Sequence, residues 1–510
     1  MTTELNATAV ILAPARARRG RDRTALIHDG GALTYGELEA AVARAAGAFA
    51  ALGVGRAERV CFLLNDSPLY CAAFLGALQA GAVAIPLNTR LAASDLAFIV
   101  ADSGARLLVA DPDYLGAARP TCAGAGIRLL SAQGSADSLA AAMDASAPRA
   151  AAATAADEPA FWLYSSGTTG KPKAIIHSHA NAAHAGKLLR EVVRADENTV
   201  VLATSKLFFA FALDNAILGP LSCGGTIILN AGWPEPELIA DQVARYRPNV
   251  FFTVPTFFRR LLALPPARLE PLASVALTFT GGERLPDAVA AQWRERVGRE
   301  ILVLYGMSET FCNVTSNFPG RYRRGTCGLP LDGVQTELRD ADGRPAPPGE
   351  PGLLWVKHPS LALGYKDPPA TARAFRAGWF CTGDLFTRDA DGFWSHQGRA
   401  DELLKVAGQW VKPTEVEEAA LADARIREAA CVVVPDLDGY DRLALFVAGN
   451  GAAQGELAAI AAAKVAHLPR HSQPKWIREA AALPRTGTGK VQRFLLRDSL
   501  VAELGSGRLQ

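Results

Sequence analysis

Short apolar strands alternate with amphipathic helices along the first third of the chain, and this alternation restricts the possible folds more than any other feature. Thr34 and Glu37 have the spacing of a helix capping box, and apolar residues then recur at helical intervals, which predicts a helix over residues 35–52. Strands are predicted at four apolar runs: Val60–Leu64, Val83–Pro86, Arg106–Ala110 and Ile127–Leu130. Strands separated by helices are typical of parallel βαβ units, so the fold class is α/β.

The pattern changes character twice further along the chain. Residues 134–157, rich in Ala, Ser and Asp, are predicted to form a surface connection, and a second αβ set follows over residues 160–330. Residues 330–398 are rich in Gly, Pro and short β-like segments, which indicates a smaller β subdomain. Beyond them a helix and two strands are predicted, at Pro413–Ala422, Ala429–Val434 and Leu443–Val447. We therefore expect a large N-terminal body over residues 1–399, with two αβ-layered subdomains plus a β subdomain, and a small α+β domain over residues 400–510.

Composition excludes several classes of protein. The 510 residues carry 53 basic and 51 acidic side chains, and 49% of them are hydrophobic. A disordered chain is less apolar and a dedicated nucleic-acid binder is more basic, so neither class fits and no nucleic-acid partner is expected. The eight cysteines are scattered without a CxxC pair, which favours reduced thiols in a cytoplasmic protein. The N-terminus lacks the pattern of a signal peptide.

One uncharged stretch, Ser67–Thr89, raises the question of a membrane span. It is interrupted by polar or helix-breaking residues: Gly76, Gln79, Gly81, Pro86 and Asn88. The pattern predicts a helix that ends at Gly81 and a strand at Val83–Pro86, and no membrane association is expected.

The densest polar motif is the segment Tyr164–Lys173, with the sequence YSSGTTGKPK, between strand-like runs at Ala160–Tyr164 and Ala174–His177. Two glycines permit tight turns, four hydroxyls donate hydrogen bonds and two lysines supply charge, which together favour a loop that wraps phosphate oxygens. A plain polar hairpin is the alternative. The segment is not a Walker A loop, because Gly167 and Gly170 are too close together and Lys171 precedes proline.

This loop resembles the phosphate-binding signature of the adenylate-forming superfamily, which comprises acyl-CoA synthetases, nonribosomal adenylation domains and luciferases. Five further signatures of that superfamily follow in order along the chain: Gly281-Gly282-Glu283, Tyr305-Gly306-Met307-Ser308-Glu309, Thr382-Gly383-Asp384, Gly398-Arg399-Ala400-Asp401 and Pro484-Arg485-Thr486-Gly487-Thr488-Gly489-Lys490. The resemblance spans nearly the whole chain. It implies a large N-terminal body and a small C-terminal domain that rotates on it.

The resemblance also implies a nucleotide site. Glu309 would bind Mg2+ beside the ATP phosphates, because this hard cation prefers oxygen ligands, and the Ser308 hydroxyl would contact phosphate. Asp384 would accept hydrogen bonds from the ribose hydroxyls, with Arg399 close to ribose or phosphate. The other ATP-binding residues that the resemblance implies are Ser165, Ser166, Gly167, Thr168, Thr169, Gly170, Lys171, Gly282, Glu283, Tyr305 and Gly306.

Three C-terminal residues receive roles from the same resemblance. Lys490 would hold the substrate carboxylate against the α-phosphate and offset the charge that develops there. Asp401 occupies the hinge position, where a few residues absorb a large backbone change. Gly408 would leave space for the thiol arm of coenzyme A. Trp410 either packs on that arm or is an ordinary core aromatic.

The acid pocket is expected along the run Lys206–Asn215, KLFFAFALDN, which is similar to the benzoate-CoA ligase branch. Aromatic walls bury a flat ring well. Benzoate ligases tend to have a histidine and an aliphatic residue where this chain has Cys312 and Asn313. Because a buried amide favours a ligand that pairs with it, we expect a benzoate bearing an amino or hydroxyl group, such as anthranilate. The pocket residues implied are Phe208, Ala210, Phe211, Gly281, Gly306, Cys312 and Asn313.

The resulting hypothesis is an ATP-dependent aryl-CoA ligase that forms an aryl-AMP intermediate and releases AMP and pyrophosphate, as a monomer or homodimer. The alternatives are an aryl-acid adenylation enzyme that loads a carrier protein and a medium-chain fatty acyl-CoA ligase. A luciferase-like oxidase is less favoured than these alternatives. A binding-only homologue is also disfavoured, because no loop glycine, lysine or carboxylate is missing. His177, His179 and His184 lack nearby acidic or thiol companions in sequence, so no metal site is expected there.

Overall fold

The structure is a computed structural model that describes residues 3–17, 20–166, 171–340, 343–347, 349–400, 404–406, 409–436, 438–449, 455–485 and 491–505. The elements up to residue 166 are α1 (Ala7–Ala17), β1 (Thr24–His28), β2 (Gly31–Thr34), α2 (Tyr35–Ala51), β3 (Arg59–Leu63), α3 (Pro68–Gln79), β4 (Val83–Pro86), α4 (Ala93–Ser103), β5 (Leu107–Ala110), α5 (Leu115–Ala125), β6 (Arg128–Ser131), α6 (Leu139–Ala145) and β7 (Pro159–Ser166). Those of residues 171–330 are β8 (Pro172–Ser178), α7 (His179–Ala183), β9 (Val200–Ala203), α8 (Ala210–Leu213), α9 (Gly219–Cys223), β10 (Thr226–Ile228), α10 (Pro236–Tyr246), β11 (Val250–Thr253), α11 (Pro255–Leu262), α12 (Pro266–Leu269), β12 (Leu277–Thr280), α13 (Asp287–Val297), β13 (Ile301–Tyr305), β14 (Thr315–Ser316) and β15 (Leu329–Pro330).

Residues 335–399 contain mostly short strands, as their composition predicts. These elements are β16 (Gln335–Arg339), β17 (Gly352–Lys357), β18 (Gly364–Tyr365), α14 (Pro368–Ala374), β19 (Phe375–Arg376), β20 (Trp379–Arg388) and β21 (Trp394–Arg399). The C-terminal elements are β22 (Leu404–Val406), β23 (Gln409–Val411), α15 (Pro413–Leu421), β24 (Ile426–Pro435), β25 (Asp441–Gly449), α16 (Glu456–Val465), β26 (Trp476–Glu479) and α17 (Arg493–Gly505).

The chain divides into two compact units. The first comprises Met1–Glu350, Leu354–Thr382 and Thr387–His396. The second comprises Pro351–Leu353, Gly383–Phe386 and Gln397–Gln510. The division of function between domains 1–399 and 400–510 stays a prediction.

The first sheet of the larger unit has the parallel βαβ arrangement that the sequence predicts. Its order is β18-β8-β7-β4-β3-β5-β6, and the five strands from β7 to β6 are parallel to their neighbours. Successive residues of β3 point to opposite faces of the sheet. Phe62 packs with α2 and α3, whereas Cys61 packs with α4 and α5. Helices therefore cover both faces. The predicted capping box also forms, since Thr34 Oγ1 accepts from the Glu37 N–H and the Glu37 carboxylate accepts from the Thr34 N–H.

The second sheet joins segments that are far apart in sequence. Its order is β15-β14-β13-β12-β11-β9-β10-β1-β2, with the strands from β13 to β1 parallel to their neighbours. The second αβ set is therefore not confined to residues 160–330, because β1 and β2 join its sheet while β7 and β8 belong to the first.

The predicted surface connection at residues 134–157 is partly core. Leu139 and Met143 of α6 are buried in the cluster that contains α2. The chain then passes so close to α2 that a Cβ on Gly47 would lie 2.1 Å from the Ala147 carbonyl oxygen. Small residues, which look like a loop in composition, here allow two segments to approach closely.

The uncharged stretch forms the short helix α3, and β4 follows over the predicted residues. Among the helices of the described chain, none has both the length and the apolar character needed to cross a bilayer.

The C-terminal unit is α+β. Its three-stranded sheet has the order β24-β25-β26, with β24 and β25 antiparallel and β25 and β26 parallel. Cys431 packs on the side of α15 and α16, whereas Val432 packs on the side of α17. The predicted helix coincides with α15 except for Ala422, and the two predicted strands lie within β24 and β25.

Candidate nucleotide and acid site

Three of the predicted motifs meet at one edge of the second sheet. The acid-pocket run follows β9, the Gly281-Gly282-Glu283 segment follows β12, and the segment from Gly306 to Asn313 follows β13. Because β9, β11, β12 and β13 are parallel neighbours, their carboxyl ends lie together. Ligands of open parallel sheets bind outside this edge, so the topology itself brings the motifs into one site.

The phosphate-loop motif lies on an antiparallel hairpin of β7 and β8, where Ser165 pairs with Lys173 and Ser166 with Pro172. The Lys171 ammonium lies 5.8 Å from the centre of the Phe98 ring, and the Lys173 ammonium lies 5.5 Å from the centre of the Tyr365 ring. A cation over an aromatic face is held without losing its charge. Both ammonium groups therefore lie against aromatic rings next to the predicted loop.

Glu309 is a buried carboxylate held by a residue that the sequence reasoning missed. Tyr365 donates a hydrogen bond of 2.9 Å from its hydroxyl to Glu309 Oε1, and Ala362 N–H donates to the Glu309 carbonyl oxygen at 2.9 Å. Tyr365 enters the site because β18 pairs with β8, a contact with no local sequence signal.

A magnesium ion fits this carboxylate. Among the described residues no group of three or more His, Cys, Asp or Glu side chains could hold a metal. Mg2+ in nucleotide sites typically takes one or two carboxylates and completes its shell with phosphate oxygens and water. Glu309, with Oε1 fixed by Tyr365, offers one such carboxylate.

Tyr365→Phe is expected to weaken Mg2+ binding at the predicted Glu309 site by about 10- to 100-fold, so that the variant needs more Mg2+, because outer hydrogen bonds fix the orientation of a metal-binding carboxylate. The measurements are pyrophosphate release against Mg2+ concentration and Mn2+ binding in the presence of ATP. Tyr114→Phe, which removes a 2.8 Å hydrogen bond to Asn65, is the control. Equal Mg2+ dependence in both variants would contradict the role.

The predicted adenine slot has the backbone that the glycines suggest. Gly282 has a left-handed φ of +82°, and a Cβ on Gly281 would meet Leu304 Cδ1 at 2.6 Å, so larger residues fit neither position. The Tyr305 ring lies 6.2 Å from the His396 ring at an interplanar angle of 26°. Gly282 and Glu283 are exposed, which leaves this surface open to a base.

The aromatic run divides into two ring clusters. Phe211 packs edge-on against Phe252, 5.9 Å between ring centres. Phe208 instead packs with Phe209 at 4.5 Å and with Trp233 at 6.2 Å. Phe211 therefore lies beside β11 at the site edge, and Ala210 precedes it at the start of α8. Their roles in the pocket stay predictions. A role for Phe208 in the pocket stays a prediction.

Buried amides and a thiol complete the segment after β13. Asn313 donates a 2.9 Å hydrogen bond to Asn215 Oδ1, which the sequence reasoning did not select although it ends the acid-pocket run. The Cys312 thiol donates to the His184 carbonyl oxygen at 3.2 Å. Burial raises the pKa of Cys312 well above its ordinary value, so this thiol stays protonated.

An internal ion pair anchors the acid-pocket run. Lys206 is 1% exposed, and its ammonium lies 2.9 Å from Asp66 Oδ2. It also donates to three carbonyl oxygens, those of Asn230, Ala231 and Gly232, at 2.5, 3.2 and 3.0 Å. Every ammonium proton therefore has an acceptor, which is the condition under which a buried lysine is tolerated.

His177 lies in the core beside Phe311, which belongs to the segment after β13. Its ring stacks on Phe161 at 4.6 Å and lies 5.4 Å from Phe311, a non-glycine residue with a left-handed φ of +56°. Burial lowers the pKa of His177 to about 3, so the imidazole is neutral at physiological pH. His177 thus packs as an aromatic residue.

Lowering the pH from 6.5 to 5 is expected to cost about 2 kcal/mol of unfolding free energy through His177, because only the unfolded state takes up its proton, at about 1.4 kcal/mol per pH unit. This stability is present above the unfolded pKa and is lost as the pH falls. Denaturant unfolding at pH 7 and pH 5 measures it. His177→Phe should show a correspondingly smaller loss than wild type, and the exposed His467→Phe should not. Identical losses in all three proteins would refute the assignment.

In the C-terminal unit, two predicted nucleotide residues lie together. Asp384 is buried, and Arg399 Nη1 lies 3.5 Å from Asp384 Oδ1. A Cβ on Gly383 would meet Arg399 Nη2 at 2.8 Å, and Gly383 has a φ of +75°, so this position suits glycine on two grounds. The pair presents a carboxylate and a guanidinium side by side.

Some predicted residues lie outside the described residues: Gly167, Thr168, Thr169, Gly170, Asp401, Gly408 and Lys490. Their roles stay predictions. In the antiparallel pair of β22 and β23, Lys405 lies opposite Trp410.

Comparison with known proteins agrees with this geometry. The sequence model of the AMP-binding enzyme family matches residues 14–366. The chain is 38% identical over 509 residues to a 3-hydroxybenzoate–CoA ligase of Aromatoleum sp. (strain CIB), which covers 98% of this chain and 97% of the relative. A solved benzoate CoA ligase from Burkholderia xenovorans LB400 is 35% identical, with a TM-score of 0.86 over 96% of this chain and 99% of that one. A solved anthranilate CoA ligase in complex with anthranoyl-AMP is 28% identical, with a TM-score of 0.90 over 99% of both.

The fold and the motifs at the sheet edge agree with this family. The chain belongs to the AMP-binding enzyme family. The family and the fold class that the ordered motifs predict are confirmed.

Proposed function

We propose that the chain is an ATP-dependent aryl-CoA ligase, which converts a benzoate-type acid into its CoA thioester through an aryl-AMP intermediate. The supporting observation is the shared sheet edge, where Phe211 and Asn313 lie beside the nucleotide motifs that end at Glu309. The near full-length similarity to a 3-hydroxybenzoate–CoA ligase supports the same activity.

The first half-reaction is adenylation. An oxygen of the acid carboxylate attacks the α-phosphorus of ATP in line, the bond to the bridging oxygen breaks, and pyrophosphate leaves with the electron pair. The Ser165–Lys173 loop holds the outer phosphates, Asp384 and Arg399 hold the ribose, and Lys490 holds the carboxylate against phosphorus. When bound at Glu309, Mg2+ neutralises charge on the phosphate oxygens.

The second half-reaction is thioester formation. Rotation of the C-terminal domain about Asp401 withdraws Lys490 and brings in the segment with Gly408, which leaves room for the thiol arm. The CoA thiolate attacks the acyl carbon, AMP leaves with its electron pair, and the thiol proton passes to solvent. Adenylation thus uses Lys490 and thioester formation uses the segment with Gly408, and both occur in turn at one acid pocket.

The ring of the acid carries a hydroxyl or amino group in this proposal. The buried Asn313 amide supports it, because a pocket with a polar group disfavours a ligand that leaves the group unpaired. A hydroxybenzoate is the first candidate and anthranilate the second, in keeping with the ligases named above.

Pyrophosphate release from a panel of acids, with and without CoA, tests the proposal. We expect release with hydroxybenzoates and anthranilate, and AMP and thioester only when CoA is present. Preference for hexanoate over every ring acid would contradict the aryl assignment. Transfer to a carrier protein with no transfer to CoA would contradict the acceptor.

A further inference from the structure

Two buried asparagines form a hydrogen-bonded relay inside the proposed acid pocket. Asn215 Nδ2 donates to the Phe211 carbonyl oxygen at 2.9 Å, and Asn313 Nδ2 donates to Asn215 Oδ1 at 2.9 Å. Asn215 is 1% exposed and Asn313 is 5% exposed. The relay therefore joins the aromatic run to the segment after β13 without the help of solvent.

The chemistry of the relay fixes which way each amide faces. A backbone carbonyl only accepts hydrogen bonds, so Asn215 must turn its NH2 group toward Phe211 and its oxygen toward Asn313. Asn313 must then donate from its own NH2 group to Asn215 Oδ1, because the flipped Asn313 amide would bring two acceptor oxygens together. The outward atom of Asn313 is consequently an oxygen.

That oxygen lies against a bare stretch of backbone. Asn313 Oδ1 is 3.4 Å from the place where a Cβ on Gly306 would stand, and glycine leaves this place open. No described residue donates a hydrogen bond to Asn313 Oδ1. A ring acid that shields this oxygen from water without supplying a donor leaves it unpaired, which is costly, so in the complex the relay is satisfied only when the ligand brings a donor.

A short π-helical turn, Asp214–Leu218, sets the position of Asn215. Asp214 Oδ1 accepts a 2.8 Å hydrogen bond from the Gly186 N–H, which ties this turn to the neighbouring chain. Turns of this kind occur frequently at functional sites. The acceptor is therefore presented by a fixed part of the fold.

We infer that Asn313 determines specificity and that Asn215 is its positioning residue, so that the pocket selects benzoates whose ring substituent donates a hydrogen bond over those whose substituent only accepts one. The inference rests on the proposed function and deepens it. A hydroxyl or an amino group satisfies Asn313 Oδ1, whereas a fluorine of similar size leaves it unpaired.

The test is kcat/KM for 3- and 4-hydroxybenzoate, 3-aminobenzoate, 3- and 4-fluorobenzoate and benzoate. In the wild type the best hydroxyl or amino acid should exceed its fluoro counterpart by about 10- to 100-fold, because the fluoro acid strands a buried acceptor. Asn313→Leu should bring this ratio close to one, whatever its absolute rates. Asn215→Leu frees the Asn313 amide to turn and should reduce the preference to a few-fold.

Asn249→Leu is the matched control. Its amide also bridges backbone groups, accepting from Val200 N–H and donating to the Asn198 carbonyl, but at the opposite end of β9. It should keep the wild-type preference.

Equal rates for hydroxyl and fluoro acids in the wild type, or an unchanged preference in Asn215→Leu, would overturn the inference even if aryl-CoA is formed. Failure of every ring acid to release pyrophosphate would overturn the proposed function itself. The wild-type ratio decides the matter without any variant.

Discussion

Lys490→Ala is expected to slow aryl-AMP formation by about 10²- to 10³-fold, because the proposed mechanism uses its positive charge where charge develops during attack on the α-phosphate. Thioester formation from supplied aryl-AMP should be nearly unaffected, since the proposed mechanism withdraws Lys490 in that step. The two half-reactions are measured separately, by pyrophosphate release and by thioester formation. Lys464→Ala, in the last turn of α16, is the control for a general effect of charge in the C-terminal domain. Equal losses in both half-reactions would refute the alternation of domains.

Lys206→Met is expected to lower the free energy of unfolding by about 3–5 kcal/mol, because it leaves the buried Asp66 carboxylate without its counter-ion. The carbonyl oxygens of Asn230, Ala231 and Gly232 also lose their hydrogen-bond donor, which adds to the cost. Denaturant unfolding measures the change. The double variant Lys206→Met with Asp66→Leu should recover part of it, since no unpaired charge then remains.

Arg268→Ala is the control for the internal ion pair. Arg268 pairs with Asp241 at 2.7 Å on the surface, where solvent screening makes such pairs contribute little. A loss in Lys206→Met no larger than in Arg268→Ala would contradict the anchoring role. The comparison also separates stability from catalysis, because neither Arg268 nor Asp241 lies in a predicted site segment.

Local elements were well predicted because their causes are local. The capping box that starts α2 needs only Thr34 and Glu37, three positions apart, and the strands β3, β4, β5 and β6 are short apolar runs. The motifs after β12 and β13 were likewise recognised from their residues. Their meeting at one edge follows from the parallel order of the strands, which the alternation of helices and strands implies in general.

Other features depend on contacts between distant segments. Residues 134–157 have the composition of a loop, yet α6 is buried because the fold supplies α2 as a neighbour. Similarly, β1 and β2 join the second sheet through β10, a pairing that no local pattern specifies. Composition indicates which environments a segment tolerates. Packing against distant segments decides whether the segment is buried.

The sequence by itself determined the family and the α/β class and supplied the candidate site residues, since ordered motifs and periodicity are properties of the chain alone. Only the tertiary structure decided how those residues are held: Tyr365 on Glu309, Asp66 on Lys206, and Asn215 on Asn313. Each pair joins segments separated by more than fifty positions in the chain. Hydrogen bonds depend on angstrom distances and on which atom faces which, and these are fixed only when the sheets bring the segments together.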